Sequence, residues 1–268
     1  MTESTLESVL AEGDAPARPG AWSASLTFGW RSMLKLKHIP EQIFDVTAFP
    51  VLMTLMFTYL FGGALAGSTG DYLQFLLPGV LVTSVVMITM YTGTGVNGDI
   101  KDGVFDRIRT LPVWRPAALV GALLGDAVRY SAASVTILLL GLLMGFRPAG
   151  VLGVLGAIAL LLLFSFAFSW IWTMFGLLLR SEKSVMSVSM VVVMPGTFLS
   201  NVYVDPATMP GAVRAVVNAN PITHVVSAVR GLMAGQFPGG WILSTMAFSV
   251  VITLVFGTIS MRLYNRRE

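Results

Sequence analysis

The chain of 268 residues is 55% hydrophobic and 12% charged, carries a formal net charge of +3 and contains no cysteine. Disulfides, thiolate metal sites and cysteine nucleophiles are therefore excluded, and a mean hydropathy of +0.77 is outside the range of an ordinary soluble domain. The apolar residues fall in continuous runs long enough to cross a bilayer as helices, which excludes a β-barrel with its alternating strands.

Residues 1–20 are acidic and rich in Pro, Gly and Ala, which predicts a disordered tail. They hold no early apolar core or small-residue cleavage site, so no signal peptide is expected. Residues 22–38 mix Trp22, Leu26, Phe28, Trp30, Met33 and Leu34 with Arg31, Lys35 and Lys37. That mixture is too polar to span and too apolar to stand free in water. It predicts an amphipathic helix lying at a membrane interface.

Six spans are expected next, at 43–61, 75–96, 118–145, 151–179, 185–204 and 241–263. Backbone groups have no water to bond in lipid, so all six should be helical, giving an all-α polytopic membrane protein. Thirteen Lys and Arg fall before the first span, in the second and fourth loops and at the C-terminal end, whereas Arg147, Arg214 and Arg230 fall on the other side. The positive-inside rule then makes both termini and the loop at 97–116 cytoplasmic.

Within the third span, Asp126 and Arg129 are three apart on one helical face, and a structural ion pair between them is expected. In the fifth, Met186, Met190 and Met194 repeat at intervals of four, and Pro195 with Gly196 is expected to interrupt the helix. The methionine stripe is either an adaptable apolar surface for a ligand or simple gap filling between helices. Residues 200–235 form a long outer connection divided by Pro206, Pro210 and Pro221, which predicts one or two short helices entering the membrane partway. Three G-x-x-x-G matches, starting at Gly63, Gly121 and Gly141, predict close helix approach.

The loop at 97–116 carries most of the chemistry. Ile100, Val104, Phe105, Ile108 and Leu111 recur near helical spacing, with Asp102, Asp106, Arg107 and Arg109 between them. That is the pattern of a short amphipathic helix offering an apolar ridge to a groove on another protein. Gly93, Gly95 and Gly98 match G-x-G-x-x-G, but they close a membrane helix and have no βαβ context. Asp99, Asp102 and Asp106 resemble the carboxylate run by which a membrane prenyltransferase holds Mg²⁺ and a diphosphate. Such an enzyme needs a second facing cluster, and Glu41, Asp45, Asp71, Asp126 and Glu182 form none. His38 and His224 sit in no ligand pattern, so no metal site is expected. No acid lies at mid-membrane to couple a proton or sodium, which disfavours a secondary transporter. The chain also lacks G-x-x-x-x-G-K-[ST], so an ATPase driving it would be a separate polypeptide.

Residues 98–113, Gly-Asp-Ile-Lys-Asp-Gly-Val-Phe-Asp-Arg-Ile-Arg-Thr-Leu-Pro-Val, resemble the coupling-helix signature of ABC-2 type exporter permeases, in particular the daunorubicin/doxorubicin resistance group. Residues 195–210 and 220–232 give a second match on the opposite side of the membrane. One departure is Asp102 before Gly103, where relatives often carry glutamate, lysine and glycine. The resemblance implies an ABC-2 type transmembrane domain over 21–268 in a bacterial inner membrane. It further implies a second copy of the permease, and two ATP-binding subunits holding ATP and Mg.

Val104, Phe105, Ile108 and Leu111 would then dock in the ATPase, and Asp102, Asp106, Arg107 and Arg109 would fix the register. Gly103 and Pro112 belong to the same coupling segment. Phe57, Met186, Met190, Met194 and Phe198 become candidates for the substrate path. The expected function is export of a lipophilic or amphipathic drug, polyketide or lipid, with a lipid-linked glycan as the alternative. Membrane lipids are expected partners and nucleic acid is not.

Overall fold

A computed structural model describes residues 20–36, 48, 50–104, 107 and 117–266. All regular elements among them are helical. The first, α1, covers Ala21–Leu36. Then α2 runs over Pro50–Ala66, α3 over Thr69–Lys101, α4 over Ala117–Met144, α5 over Val151–Leu178 and α6 over Glu182–Phe198. A single 3₁₀ turn at Pro206–Thr208 leads to α7 at Gly211–Ala219 and α8 at Pro221–Met233. The last helix, α9, spans Gly239–Arg266. Four of these, α3, α4, α5 and α9, are long and apolar enough to cross a membrane, and α2 and α6 are shorter.

The centre of the molecule is α3. Leu76, Leu77, Leu81, Val82, Val85 and Val86 are fully buried, so this helix is covered on every side. Its start is fixed by Ser68, whose Oγ accepts from the Asp71 N–H at 3.0 Å and donates to the Asp71 carboxylate at 2.6 Å. At 33 residues it is about 50 Å long, longer at both ends than the 75–96 read from hydropathy. Apolar content marks where lipid begins and ends; the helix continues past it, from the Ser68 cap to Asp102, whose N–H closes the last turn on the Gly98 carbonyl. The Asn97 side-chain amide ties this end to α5, donating to the carbonyls of Gly176 and of Leu179, the residue just past that helix, at 3.0 and 2.7 Å.

Helices α3 and α5 cross with backbones almost touching. A Cβ on Gly93 would lie 2.5 Å from the Trp172 carbonyl, and one on Gly176 would meet the Gly93 carbonyl. At the crossing the Trp172 indole N–H donates to Thr89 Oγ at 2.8 Å. The glycines that matter here are outside the three G-x-x-x-G matches. Of those matches, Gly121 does permit close approach, since a Cβ there would fall 2.5 Å from Phe28 of α1. Gly63 and Gly67 face open space.

Two sequence expectations are corrected. The fifth span, read as 185–204, ends at Phe198; residues 199–205 turn back, with Val202 fully buried against Gly79 of α3. Pro195 does not interrupt α6, which runs three residues further. The helix tolerates it because only one backbone donor is lost, and the Pro195 carbonyl still accepts from Leu199 N–H at 2.8 Å. Arg230, counted among outer-side cations, turns into the protein at that end: it donates to the Phe75 and Asn201 carbonyls, each at 3.0 Å.

Candidate functional site

Two regions at opposite ends of α6 collect most of the residues singled out above. The first is the end of α3. The Asp102 N–H donates to the Gly98 carbonyl at 2.9 Å, and Gly103 takes φ = 65°, a left-handed conformation that stops the helix. A new helical turn starts at once, with the Arg107 N–H donating to the Gly103 carbonyl at 3.2 Å. Asp102 and Arg107 are exposed. Val104 is half-buried and packs with Ile100 on a small cluster of Val96, Leu119, Leu177 and Tyr264. Phe105, Asp106, Ile108, Arg109, Leu111 and Pro112 lie outside the described residues.

This end is tied to its neighbours by ion pairs. Arg31 of α1 meets Asp99 at 3.1 Å, and Lys101 meets Glu182, in the first turn of α6, at 3.8 Å. Glu182 also suits its place, since a carboxylate at a helix N-terminus faces the positive end of the dipole. Ser181 caps the same turn, its Oγ accepting from the Ser184 N–H at 3.1 Å. The sequence reading placed Glu182 only among acids that form no metal motif; its pairing with Lys101 spans two whole helices, α4 and α5, and their connections, and has no local signal.

The second region is the far end of α6 and the face leading to it. Val185, Ser189, Val193 and Thr197 repeat every fourth residue and are buried. Met190, Met194 and Phe198 repeat on another face and are exposed, at 40%, 40% and 61%. Met186 differs from the other two methionines, being half-buried against the main core. Beyond the stripe the rings form a ladder. Phe198 stacks on Tyr203 at 5.6 Å between centroids, Tyr203 on Phe57 of α2 at 4.8 Å, and Phe57 lies 5.3 Å from Phe61. The π-helical turn Phe57–Phe61 adds a residue to one turn of α2, which brings these two rings to one side.

Tyr203 is held in turn by the Tyr72 hydroxyl, which donates to its carbonyl at 3.1 Å. The sequence singled out Phe57 and Phe198 but not Tyr203 and Phe61, whose rings lie beside them. Tyr203 lay inside the 195–210 segment, but nothing local shows that it sits between two rings far apart in the chain.

Asp126 and Arg129 form a third cluster, sealed between helices. Their side chains meet at 3.1 Å. Thr92 of α3 donates to Asp126 at 2.5 Å, and Tyr130 lies 3.2 Å from Thr92 and 2.7 Å from Ser169 of α5. The pair thus belongs to a polar network linking α3, α4 and α5, with every oxygen of Asp126 engaged. Among the described residues no three His, Asp or Glu side chains group closely enough to hold a metal ion.

Long apolar helices, two of them crossing backbone to backbone, define a polytopic helical membrane protein. Residues 24–234 match the ABC-2 type transporter family. The chain belongs to that family. It is 49% identical over 265 residues to the daunorubicin resistance ABC transporter permease protein DrrB1 of Streptomyces coeruleorubidus, covering 98% of this chain and 93% of that protein. It is 22% identical over 249 residues to the probable doxorubicin resistance ABC transporter permease protein DrrC of Mycobacterium tuberculosis, covering 89% and 88%. A putative transport permease, ycf38 of Cyanophora paradoxa, is 21% identical over 251 residues, covering 88% and 86%.

Proposed function

We propose that this chain is the membrane-spanning permease subunit of an ATP-driven exporter that moves a lipophilic or amphipathic drug out of the cytoplasm or inner leaflet. The observation that carries this reading is the 49% identity, across 98% of the chain, to a daunorubicin resistance permease. The active unit contains two copies of this permease and two ATP-binding subunits, which alone hold ATP and Mg. The permease itself is not an enzyme. It crosses a bacterial inner membrane six times, α2 and α6 included, with both termini cytoplasmic and α1 lying on the cytoplasmic leaflet.

In this reading the segment from Asp102 to Pro112 docks on the ATPase. Val104, Phe105, Ile108 and Leu111 supply apolar contacts, and Asp102, Asp106, Arg107 and Arg109 fix orientation by charge. The substrate passes along Phe57, Met190, Met194 and Phe198, with Met186 behind them and Tyr203 added to the track. Helix α6 is the mechanical link. It starts at the Lys101–Glu182 contact and ends at the Phe198–Tyr203 stack, so a displacement of the coupling segment reaches the track through one rigid element.

The test is uptake of doxorubicin, followed by its fluorescence, into inside-out vesicles holding the permease and its cognate ATPase. Uptake should need ATP and both subunits. Robust ATP hydrolysis by the purified permease alone, or no uptake by the reconstituted pair, would overturn the reading.

A further inference from the structure

At the end of the molecule opposite the charged segment lies a cavity of about 450 Å³ lined by Phe75, Asn201, Asp205, Thr223, Arg230 and Trp241, among others. It is built from α3, α7, α8, α9 and the turn after α6, and two of its walls carry an unanswered polar group. The Asn201 side-chain amide donates to Ser227 at 2.8 Å, but its carbonyl oxygen has no hydrogen-bond partner among the described residues. The Thr223 hydroxyl has none either. Asn201 is 5% exposed and Thr223 1%, so bulk water does not answer them. Buried oxygens left in this state call for a partner that is not protein.

The charges in the cavity restrict what that partner is. Arg230 lies with its guanidinium carbon 3.8 Å above the Phe75 ring, and two of its nitrogens are occupied by main-chain carbonyls. Burial pulls it down to about 10, against the pull of Asp205, so it is charged at neutral pH. Arg230 and Asp205 together leave the cavity without a net charge to attract an ion of either sign. A neutral group needs no such charge. To serve the Asn201 carbonyl it must donate a hydrogen bond, and to serve Thr223 it must donate or accept one; a ring carrying hydroxyls does both. Trp241, partly exposed, presents the apolar face on which such a ring can lie.

The cavity also adjoins the aromatic ladder. Phe75 stacks with Tyr72 at 6.4 Å, and the Tyr72 hydroxyl holds the carbonyl of Tyr203, a ladder residue between Asn201 and Asp205 in sequence. A polar chamber and an apolar track thus share a wall. We propose that this cavity binds the neutral, hydroxylated head group of an amphipathic molecule whose apolar part lies along Phe57, Tyr203 and Phe198. The proposal rests on reading that face as a substrate path. Two sources share the chemistry: the compound being exported and a glycolipid of the outer leaflet.

The experiment uses the full chain with its ATPase partner in phosphatidylcholine nanodiscs, titrated with n-octyl-β-glucoside below its micelle concentration and with n-octanol as the headless control. Tryptophan fluorescence reports binding. The glucoside should give a saturable change that octanol does not, and that change should vanish in Trp241→Phe. Thr223→Val should weaken glucoside binding about tenfold, the loss of one hydrogen bond, while thermal stability stays equal or rises, because the hydroxyl has no protein partner to lose.

Equal binding by Thr223→Val and wild type would show that the oxygen holds only ordered water, and would overturn the proposal. A signal that persists in Trp241→Phe would overturn the location. In nanodiscs containing digalactosyl diacylglycerol, loss of glucoside binding assigns the cavity to the lipid head group, and unchanged binding assigns it to the exported amphiphile. Intact glucoside binding without ATP-driven doxorubicin uptake would defeat the exporter reading and leave the cavity assignment standing.

Discussion

Asp126 and Met190 sit on neighbouring parts of one bundle in opposite circumstances. Asp126 is 5% exposed, and both its oxygens are engaged by Arg129 and Thr92. Met190 is 40% exposed and belongs to a face that ends in stacked rings. In a membrane protein an ionisable residue within a span is the usual first suspect for function. Here the geometry of the ionisable cluster is that of a lock: short contacts join three helices, although the buried Arg129 Nε has no hydrogen-bond partner among the described residues. The uncharged stripe, which hydropathy alone treats as more lipid-facing surface, leaves Met190, Met194 and Phe198 exposed, and on the proposed reading it is where a bulky apolar molecule has access. Reactivity and availability are separate properties, and the second is a matter of packing.

The sharpest break of that comparison is Asp126→Ala. It would leave the Arg129 guanidinium buried without its counter-charge, and the fold should lose about 3 kcal/mol or more, read as a fall in melting temperature of the detergent-solubilised protein. Removing both partners, Asp126→Ala with Arg129→Leu, should recover most of the loss, because an apolar pair of suitable size replaces a buried ion pair at little cost. If the single variant transports poorly at full stability, the cluster acts in the transport cycle and the contrast drawn here fails.

A middle-sized effect separates the methionines. Met186→Trp forces extra volume against the main core and should cost about 1–3 kcal/mol. Met190→Trp points into open space and should leave stability unchanged, while altering which of two drugs, doxorubicin or a smaller dye, is taken up by vesicles. Equal destabilisation by both variants would make the stripe packing surface throughout.

Much of this was legible in the sequence, for identifiable reasons. Lipid allows only helices, so runs of apolar residues located α3, α4, α5 and α9 within a few residues. Prolines at 206, 210 and 221 marked the broken outer connection, because each lacks a backbone donor; all three stand immediately before or at a helix start. Asp126 and Arg129 could be paired because i and i+3 share a helical face. What escaped was non-local. Thr92 and Ser169 give no sign of joining that pair, and Gly93 with Gly176 gives none of marking the crossing. Tyr203 reads as a loop residue until the turn after α6 lays it between Phe57 and Phe198. The end of α6 was misplaced for a related reason: residues 199–204 are apolar enough to continue a span, but Val202 finds a better site against Gly79 than in lipid.

The smallest effect tests the tether between the end of α3 and the start of α6. Lys101 and Glu182 are 3.8 Å apart, and each side chain is about half exposed, at 47% and 53%. Water screens such a pair and its side chains lose entropy on meeting, so a double-mutant cycle of Lys101→Ala and Glu182→Ala should give a coupling of about 0.5 kcal/mol or less in stability. The same cycle on transport has a different expectation. If α6 carries motion from the coupling segment to the aromatic track, what matters is that the end of α3 and the start of α6 move together, and a weak contact can fix direction without adding much energy. Charge reversal at both positions, Lys101→Glu with Glu182→Lys, keeps the contact and should keep the ratio of drug moved to ATP hydrolysed, while either single reversal places like charges together and should lower it. Raising salt to 1 M shortens the screening length to about 3 Å and should reduce the difference between single and double reversals. A ratio indifferent to all three variants would mean that α6 is driven by the backbone packing of α3 alone, leaving the ion pair as surface charge.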